Sequence, residues 1–462
     1  MQHAPVRQAE NKNAKMNDHD CSVPQYAGLD WVGGALPTRS EAWLKSKKVL
    51  RVQPGFYLDE ATQEEVEAYA QQKLWVWPSR TVYLLSDVHA DADAFRRSLV
   101  ASGGVRITGA GDQDFELTAE GSEATFIIAG DCFDKGPSNL RLLRAVRHLM
   151  TLSNRVKLLA GNHDVRALVG MCCAGQKSPR LAHLFVRMGK KAVPLIKELC
   201  DHYVQDKTLG RDANEERRLH DLLFPGDEWF AQFPEVAGEH ISAEKLAREL
   251  ERIREKTAEF KARCVDSGLS LAHVFAAIEQ FKSLFLDPSG EFSWFFSEMT
   301  LCHRIGSLLY LHAGVDDVMA RRIQEQGVEG ANAWFRELLA EENFFDLYHG
   351  PVGNAFRTKY RSTDHPLTPH GVERLHSVGI YGVIHGHRSI NHGQRIIFRA
   401  GMLNIECDAT VDINSRELVG LEGPGGAATV FRPNGQVLGI STDYSAVKVF
   451  EPTTVAELVT LT

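Results

Sequence analysis

Five clusters of oxygen and imidazole donors punctuate this 462-residue chain, and each closes a short apolar run. They read TVYLLSDVHAD (residues 81–91), TFIIAGDCFDKG (125–136), VKLLAGNHD (156–164), LLYLHAG (308–314) and GVIHGH (382–387). Asp87 and His89 lie two residues apart, a spacing that on a strand end turns both side chains to one side, where they can grip one cation. Asp131 carries two oxygens that could bridge two cations, and Asn162, His312 and His387 could complete the shell of the second. A mixture of carboxylate, amide and imidazole donors suits Mn, Fe or Zn, not the thiolate-rich set of a zinc finger. Two ions a few ångströms apart would clamp a phosphoryl group and acidify a bridging water, whose hydroxide could attack phosphorus in line with the leaving oxygen.

That leaving oxygen needs a proton, and His163 stands next to Asn162. A carboxylate must hold its ring in the right tautomer, which Asp134 or Asp164 could do. Phosphoryl oxygens away from the metals need cationic donors. Lys135 in GDCFDKGP and Arg357 in GPVGNAFRTKY are candidates, with Arg361 a weaker third. Isolated histidines nearby (His365, His370, His376, His385 and His392) read as surface or packing residues.

Five distant segments can share one site only if a scaffold brings their ends together. Apolar runs of this length, bounded by glycine, predict strands buried on both faces. The first three alternate with helical stretches such as Asn139 to Leu152, which indicates βαβ units. Residues 165–297 break the pattern: they are charged and helix-rich, with a long helix from Ser242 to Cys264 whose Leu246, Leu250, Ile253, Phe260 and Cys264 share a face. An insertion at this point is placed to cap the pocket, with Trp294, Phe295 and Phe296 as its packing residues. Strand-like segments return to the end of the chain, with a hairpin expected at Pro433-Asn434-Gly435. Near the start, Thr62 and Glu65 have capping-box spacing.

Composition narrows the class. The hydrophobic fraction of 44% and charged fraction of 24% are those of a globular protein. No stretch reaches the roughly 18 apolar residues of a membrane span, and the first residues lack a secretory core, so a cytoplasmic enzyme is expected. The eight cysteines form no CxxC pair and predict reduced thiols. A net charge of −8 argues against nucleic acid and anionic membranes as partners.

Together, SDVH, GDCFD, GNHD, HAG and HGH resemble, in order, the signature of the calcineurin-like metallophosphoesterase superfamily. GDCFDKGP and FRTKY are most similar to its phosphoprotein-phosphatase (Ser/Thr phosphatase) branch, bacterial type. The resemblance implies an α/β fold, a four-layer α/β/β/α sandwich. It divides the chain into a disordered tail (1–25), a catalytic domain with an N-terminal extension (26–164 and 298–462) and a helical insertion (165–297). It implies a first metal on Asp87, His89 and Asp131, and a second on Asp131, Asn162, His312 and His387. His163 becomes the general acid, oriented by Asp134. Lys135 replaces the branch's usual arginine, and Arg388 follows the last ligand as an additional cation near the phosphate. The implied activity is phosphomonoester hydrolysis on a phosphorylated protein or small molecule, with dinucleoside polyphosphate or diester hydrolysis as the alternative.

Overall fold

Val82–Leu85, Thr125–Ile128 and Val156–Leu159 are strands β2, β3 and β4, and their side chains alternate between two cores. The structure, a computed structural model, describes residues 22–26, 36–43, 51–52, 56–57, 61–205, 209, 212–238 and 242–451. Residues 1–21 of the expected tail, Cys21 among them, lie outside this set. Tyr83, Leu85, Phe126, Ile128 and Leu158 point into a core shared with helices, whereas Val82, Leu84, Ile127 and Leu159 face a second sheet. Both faces being apolar, the strands read as continuous hydrophobic runs. Each such side chain contributes roughly 1.5–3 kcal/mol by leaving water.

The strands completing the framework are β1 (Ser40–Ala42), β5 (Met299–Thr300), β6 (Cys302–Ile305), β7 (Leu308–Leu311), β8 (Gly382–His385), β9 (Arg395–Arg399), β10 (Met402–Glu406), β11 (Ala427–Phe431), β12 (Val437–Ser441) and β13 (Val447–Phe450). One sheet has the order β1-β13-β12-β11-β2-β3-β4-β5, the other β6-β7-β8-β10-β9. Strands β2 to β5 run parallel, as do β7, β8 and β10. Tyr310, Ile384, Ile396, Leu403 and Ile405 meet the first sheet across the shared core. Helices Ala92–Ser102, Asn139–Leu152 and Asn162–Cys173 lie on the first sheet's outer side, and Asp317–Ala340 and Pro369–Ser377 lie on the second's. This is the expected four-layer α/β/β/α sandwich. All five motif-bearing strands end at one rim, where ligands gather in parallel sheets.

Residues 162–297 are helical throughout their described length, apart from connecting turns and loops. The division expected after residue 164 falls inside the helix Asn162–Cys173, because the third motif supplies that helix's first turn. Ser242 caps the helix Ala243–Asp266, on which Ile253, Phe260 and Cys264 are buried and Leu246 and Leu250 are half-buried. Phe295 and Phe296 pack on Phe133 of the second motif, with ring centroids 5.4 and 6.0 Å away. The helical stretch therefore buttresses a chemistry-bearing loop from behind. Thr62 and Glu65 form the expected capping box. Gly435, at φ 86°, makes the expected turn between β11 and β12.

Candidate metal centre

The donors do not sit on the strands themselves. Strand β2 ends at Leu85, so Asp87 and His89 belong to the loop beyond it, at φ 53° and 43°. Strand alternation therefore does not set their common direction, as the spacing had suggested; left-handed backbone does. Among the described residues eleven non-glycine positions have positive φ, and six of them are Asp87, His89, Asp131, Asp134, Lys135 and His387. Such conformations cost of order 1–3 kcal/mol each and gather at functional sites.

Neighbouring loops hold these turns in place. The amide of His89 donates to the carbonyl of Asp131 (2.9 Å), and that of Gly386 to the carbonyl of His312 (2.9 Å). Two glycines permit the approach. A Cβ on Gly161 would lie 2.0 Å from the Asp131 amide nitrogen, and one on Gly386 would lie 2.0 Å from Asp87 Oδ2. Asp164 completes the frame. Its carboxylate accepts from the amides of Asp131 (2.8 Å), Cys132 (2.8 Å), Phe133 (3.0 Å) and Gly161 (3.1 Å). Asp164 is thus bound to the second loop's backbone, and the ring of His163 pairs with Asp134 instead.

Within this frame the donors form two overlapping groups able to hold metal. Ligand atoms of His89, Asp131 and His163 lie within 4.8 Å of one another, as do those of Asp131, His312 and His387. Asp131 belongs to both. Asp87 adjoins the first group, with Oδ1 3.8 Å from His89 Nε2, and its Oδ2 accepts from the His387 amide (3.0 Å). Asn162 Oδ1 lies 3.2 Å from His312 Nε2, which is 3.4 Å from Asp131 Oδ1. Carbonyl oxygens can only accept, so they set the tautomers. His312 Nδ1 faces the Ala129 carbonyl at 2.7 Å, leaving Nε2 for the centre, and His387 Nε2 faces that of Arg357 at 3.1 Å, leaving Nδ1.

The electrostatics fit cations. Burial opposes charge on His312, yet Asp131 and Asp87 outweigh it and raise the imidazole to about 10. Burial also raises the Asp87 carboxyl, with Asp131 adding to the effect. Two buried carboxylates this close attract positive charge from whatever source is at hand. Lys135 supplies one such charge, with Nζ 2.6 Å from His89 Nε2.

Residues 80–254 match the family model for calcineurin-like phosphoesterases. The chain carries a calcineurin-like phosphoesterase domain. It is a hydrolase of phosphoric esters that depends on metal. The matched residues take in the first three motifs and stop short of the strands that bring His312 and His387. No curated protein matches the phosphoesterase. Among solved structures, it is similar to a cold-active protein-tyrosine phosphatase of a psychrophilic Shewanella species. The identity is 15%, 88% of this chain and 90% of that chain are covered, and the TM-score is 0.40. It is also similar to a protein serine/threonine phosphatase from Saccharomyces cerevisiae, at 10% identity, with 85% and 89% covered and a TM-score of 0.35. No helix among the described residues is long and apolar enough to cross a membrane.

The expected cations of the phosphoesterase fare differently from one another. Lys135 reaches the centre, and the backbone of Arg357 borders it through His387. Arg361 lies on the exposed loop after Thr358, and its charge reaches Lys359, which also feels Lys135. Arg388 does not serve as a free cation near the phosphate. Its Nε is 2.7 Å from Glu406, a fully buried carboxylate also bridged by Arg395 and Arg399, and its Nη2 faces the Ala313 carbonyl and His385. A buried carboxylate without partners would be costly, so Glu406 holds Arg388 inward. His385 is packing, as expected, and His376 bonds Tyr69 at a distance from the site.

Sequence reading missed Arg166. Its Nη2 lies 2.9 Å from Asp134 Oδ2 and 2.7 Å from His163 Nδ1. Asp134 Oδ2 in turn lies 2.8 Å from His163 Nδ1. The signal was present, since Arg166 follows His163 by three residues on one helix and shares its face. Burial, reinforced by Arg166, holds the His163 imidazole well below its ordinary value, so the free ring is neutral.

Proposed function

We propose that this centre holds two divalent cations, Mn, Fe or Zn, and hydrolyses phosphomonoesters of the kind met by protein Ser/Thr phosphatases. The observation that carries the reading is the membership of Asp131 in both donor groups, which gives one carboxylate for two ions. Asp87, His89 and Asp131 would hold the first ion, and Asp131, Asn162, His312 and His387 the second. When bound, such ions withdraw charge from phosphoryl oxygens and acidify the attacking water.

The chain's own groups do the rest. Lys135 neutralises phosphoryl oxygens and fixes the ester for in-line displacement. Water oxygen bonds to phosphorus as the bond to the leaving oxygen breaks. His163 gives that oxygen its proton from Nε2, while Asp134 holds Nδ1. The negative charge of an arriving phosphoryl group favours the imidazolium that His163 must become. Arg166 positions Asp134 and His163.

Hydrolysis of nitrophenyl phosphate, a phosphoserine peptide, bis-nitrophenyl phosphate and a dinucleoside polyphosphate, each with added Mn, Fe or Zn, tests the reading. The monoesters should turn over only with metal and faster than the others. Turnover confined to the diester or the dinucleoside polyphosphate would replace the reading with that alternative, and no metal-dependent turnover would overturn it.

A further inference from the structure

Beside the metal centre stands a group of cations that hydrolysis of a simple monoester does not require. Tyr348 lies between two guanidinium groups. Arg187 is 5.0 Å from its ring centroid and Arg357 4.8 Å, and Arg187 Nη2 donates to the phenol oxygen at 3.0 Å. Lys256 Nζ donates to the Arg187 carbonyl at 2.7 Å, and burial together with the nearby charges of Arg357 and Arg187 depresses that of Lys245. Glu249 pairs with Arg187. Four cations thus face two carboxylates, Glu249 and Asp364, and one phenol.

Two of the four have no hydrogen-bonded counter-ion, although Asp364 and Glu249 act on both from a distance. The Arg357 guanidinium makes no hydrogen bond or ion pair among the described residues, and its Nε is buried without a partner. The Lys245 ammonium makes no hydrogen bond or ion pair there either, and its position is unfavourable twice over. It sits in the first turn of the 24-residue helix Ala243–Asp266, where the helix dipole opposes positive charge. Burial opposes it as well, and so do Arg357 and Arg187, against Asp364 and Glu249. Beneath the cluster, His183 and His349 are buried with all four ring nitrogens unpartnered. Buried charge and polarity are normally paired. An uncompensated excess of donors reached from a hydrolytic centre is what an anionic ligand would satisfy.

The backbone joins the two places, because the carbonyl of Arg357 bonds His387 of the centre while its side chain lies on Tyr348. We propose that Arg187, Lys245, Lys256 and Arg357 form a second anion subsite, so that the substrate is a compact molecule bearing a second phosphoryl group besides the one hydrolysed. The subsite deepens the proposed function and rests on it. A phosphoryl dianion suits four cations better than a single carboxylate does, and guanidinium forks match its oxygens. Tyr348 and His349 are only 7% and 4% exposed, which favours a small molecule over a peptide.

The test compares butyl phosphate with 1,4-butanediol bisphosphate on the full chain with Mn, since the two differ only in the second phosphoryl group. The bisphosphate should have the higher kcat/KM by about tenfold or more, the worth of one charge-assisted hydrogen bond. Lys245→Met, which breaks no bond in the protein, should bring the ratio close to one, and Lys245→Arg should restore it. Binding of the bisphosphate should also lower the ultraviolet tyrosinate signal, because an anion beside Tyr348 favours the protonated phenol, and Tyr348→Phe should abolish that change. Equal kcat/KM for the two esters, or equal losses on both in Lys245→Met, would overturn the subsite while leaving the monoesterase intact. Failure to hydrolyse either ester would instead refute the proposed function beneath it.

Discussion

The rim of the two sheets and the helical stretch from residue 162 to 297 both border the centre, and they are built in opposite ways. At the rim each donor sits one to four residues beyond a buried strand, four of the six (Asp87, His89, Asp131 and His387) in left-handed backbone, with carbonyls and the Asp164 carboxylate fixing the frame. The helical stretch offers long cations from helix faces, such as Arg166 and Arg187, which are paired, and Lys245, whose ammonium makes no bond among the described residues. Preorganised short donors suit metal, whose geometry is demanding, whereas long flexible cations suit an anion whose shape varies.

Breaking the rim should have the largest effect. Asp131→Asn removes charge from the one residue common to both groups, and turnover should fall to the uncatalysed level; kcat near that of the parent would refute the shared role. His163→Asn should leave metal content unchanged and slow hydrolysis about 10²–10⁴-fold. The loss should be larger for alkyl than for nitrophenyl leaving groups, and rates with a series of leaving groups would show it.

Asp164→Ala tests the frame behind the donors. It leaves four buried amides without an acceptor. Stability in chemical denaturation should fall by about 3 kcal/mol or more, and unchanged stability would mean that water replaces the carboxylate.

The smallest effect sharpens the helical side. Burial opposes ionisation of Tyr348, but Arg187, Arg357 and Arg166 overcome it and lower the phenol from 10.0 to about 7. A depressed acid stabilises the fold above its unfolded value, and that stability is lost as pH falls through the folded one. Stability should therefore decline from pH 10 towards 7 by a component that Tyr348→Phe lacks. Spectrophotometric titration should show one tyrosine ionising near 7, absent from the variant; no such step would break the picture of a charged cluster.

What the sequence disclosed follows the same division. Asp87, His89, Asp131, Asn162, His312 and His387 were readable because short apolar runs announce buried strands, and donors at their ends announce a rim. The four-layer order came with the family resemblance. Arg388 misled because its role depends on Glu406, eighteen residues away at the end of a strand. From the residues alone Asp164 and Asp134 were indistinguishable as partners for His163; the resemblance implied Asp134, and the fold shows Asp164 occupied by backbone amides. Arg187, Lys245 and Tyr348 gave no signal: helix periodicity reports the buried face, and long polar side chains can reach a site from outside it.

Metal stoichiometry tests the central claim most directly. The purified chain, equilibrated with Mn or Zn and freed of unbound ion, should retain two equivalents by elemental analysis, and His312→Ala should retain one. Retention of no metal, or of the same amount in Asp131→Asn as in the parent, would contradict a centre built around one shared carboxylate.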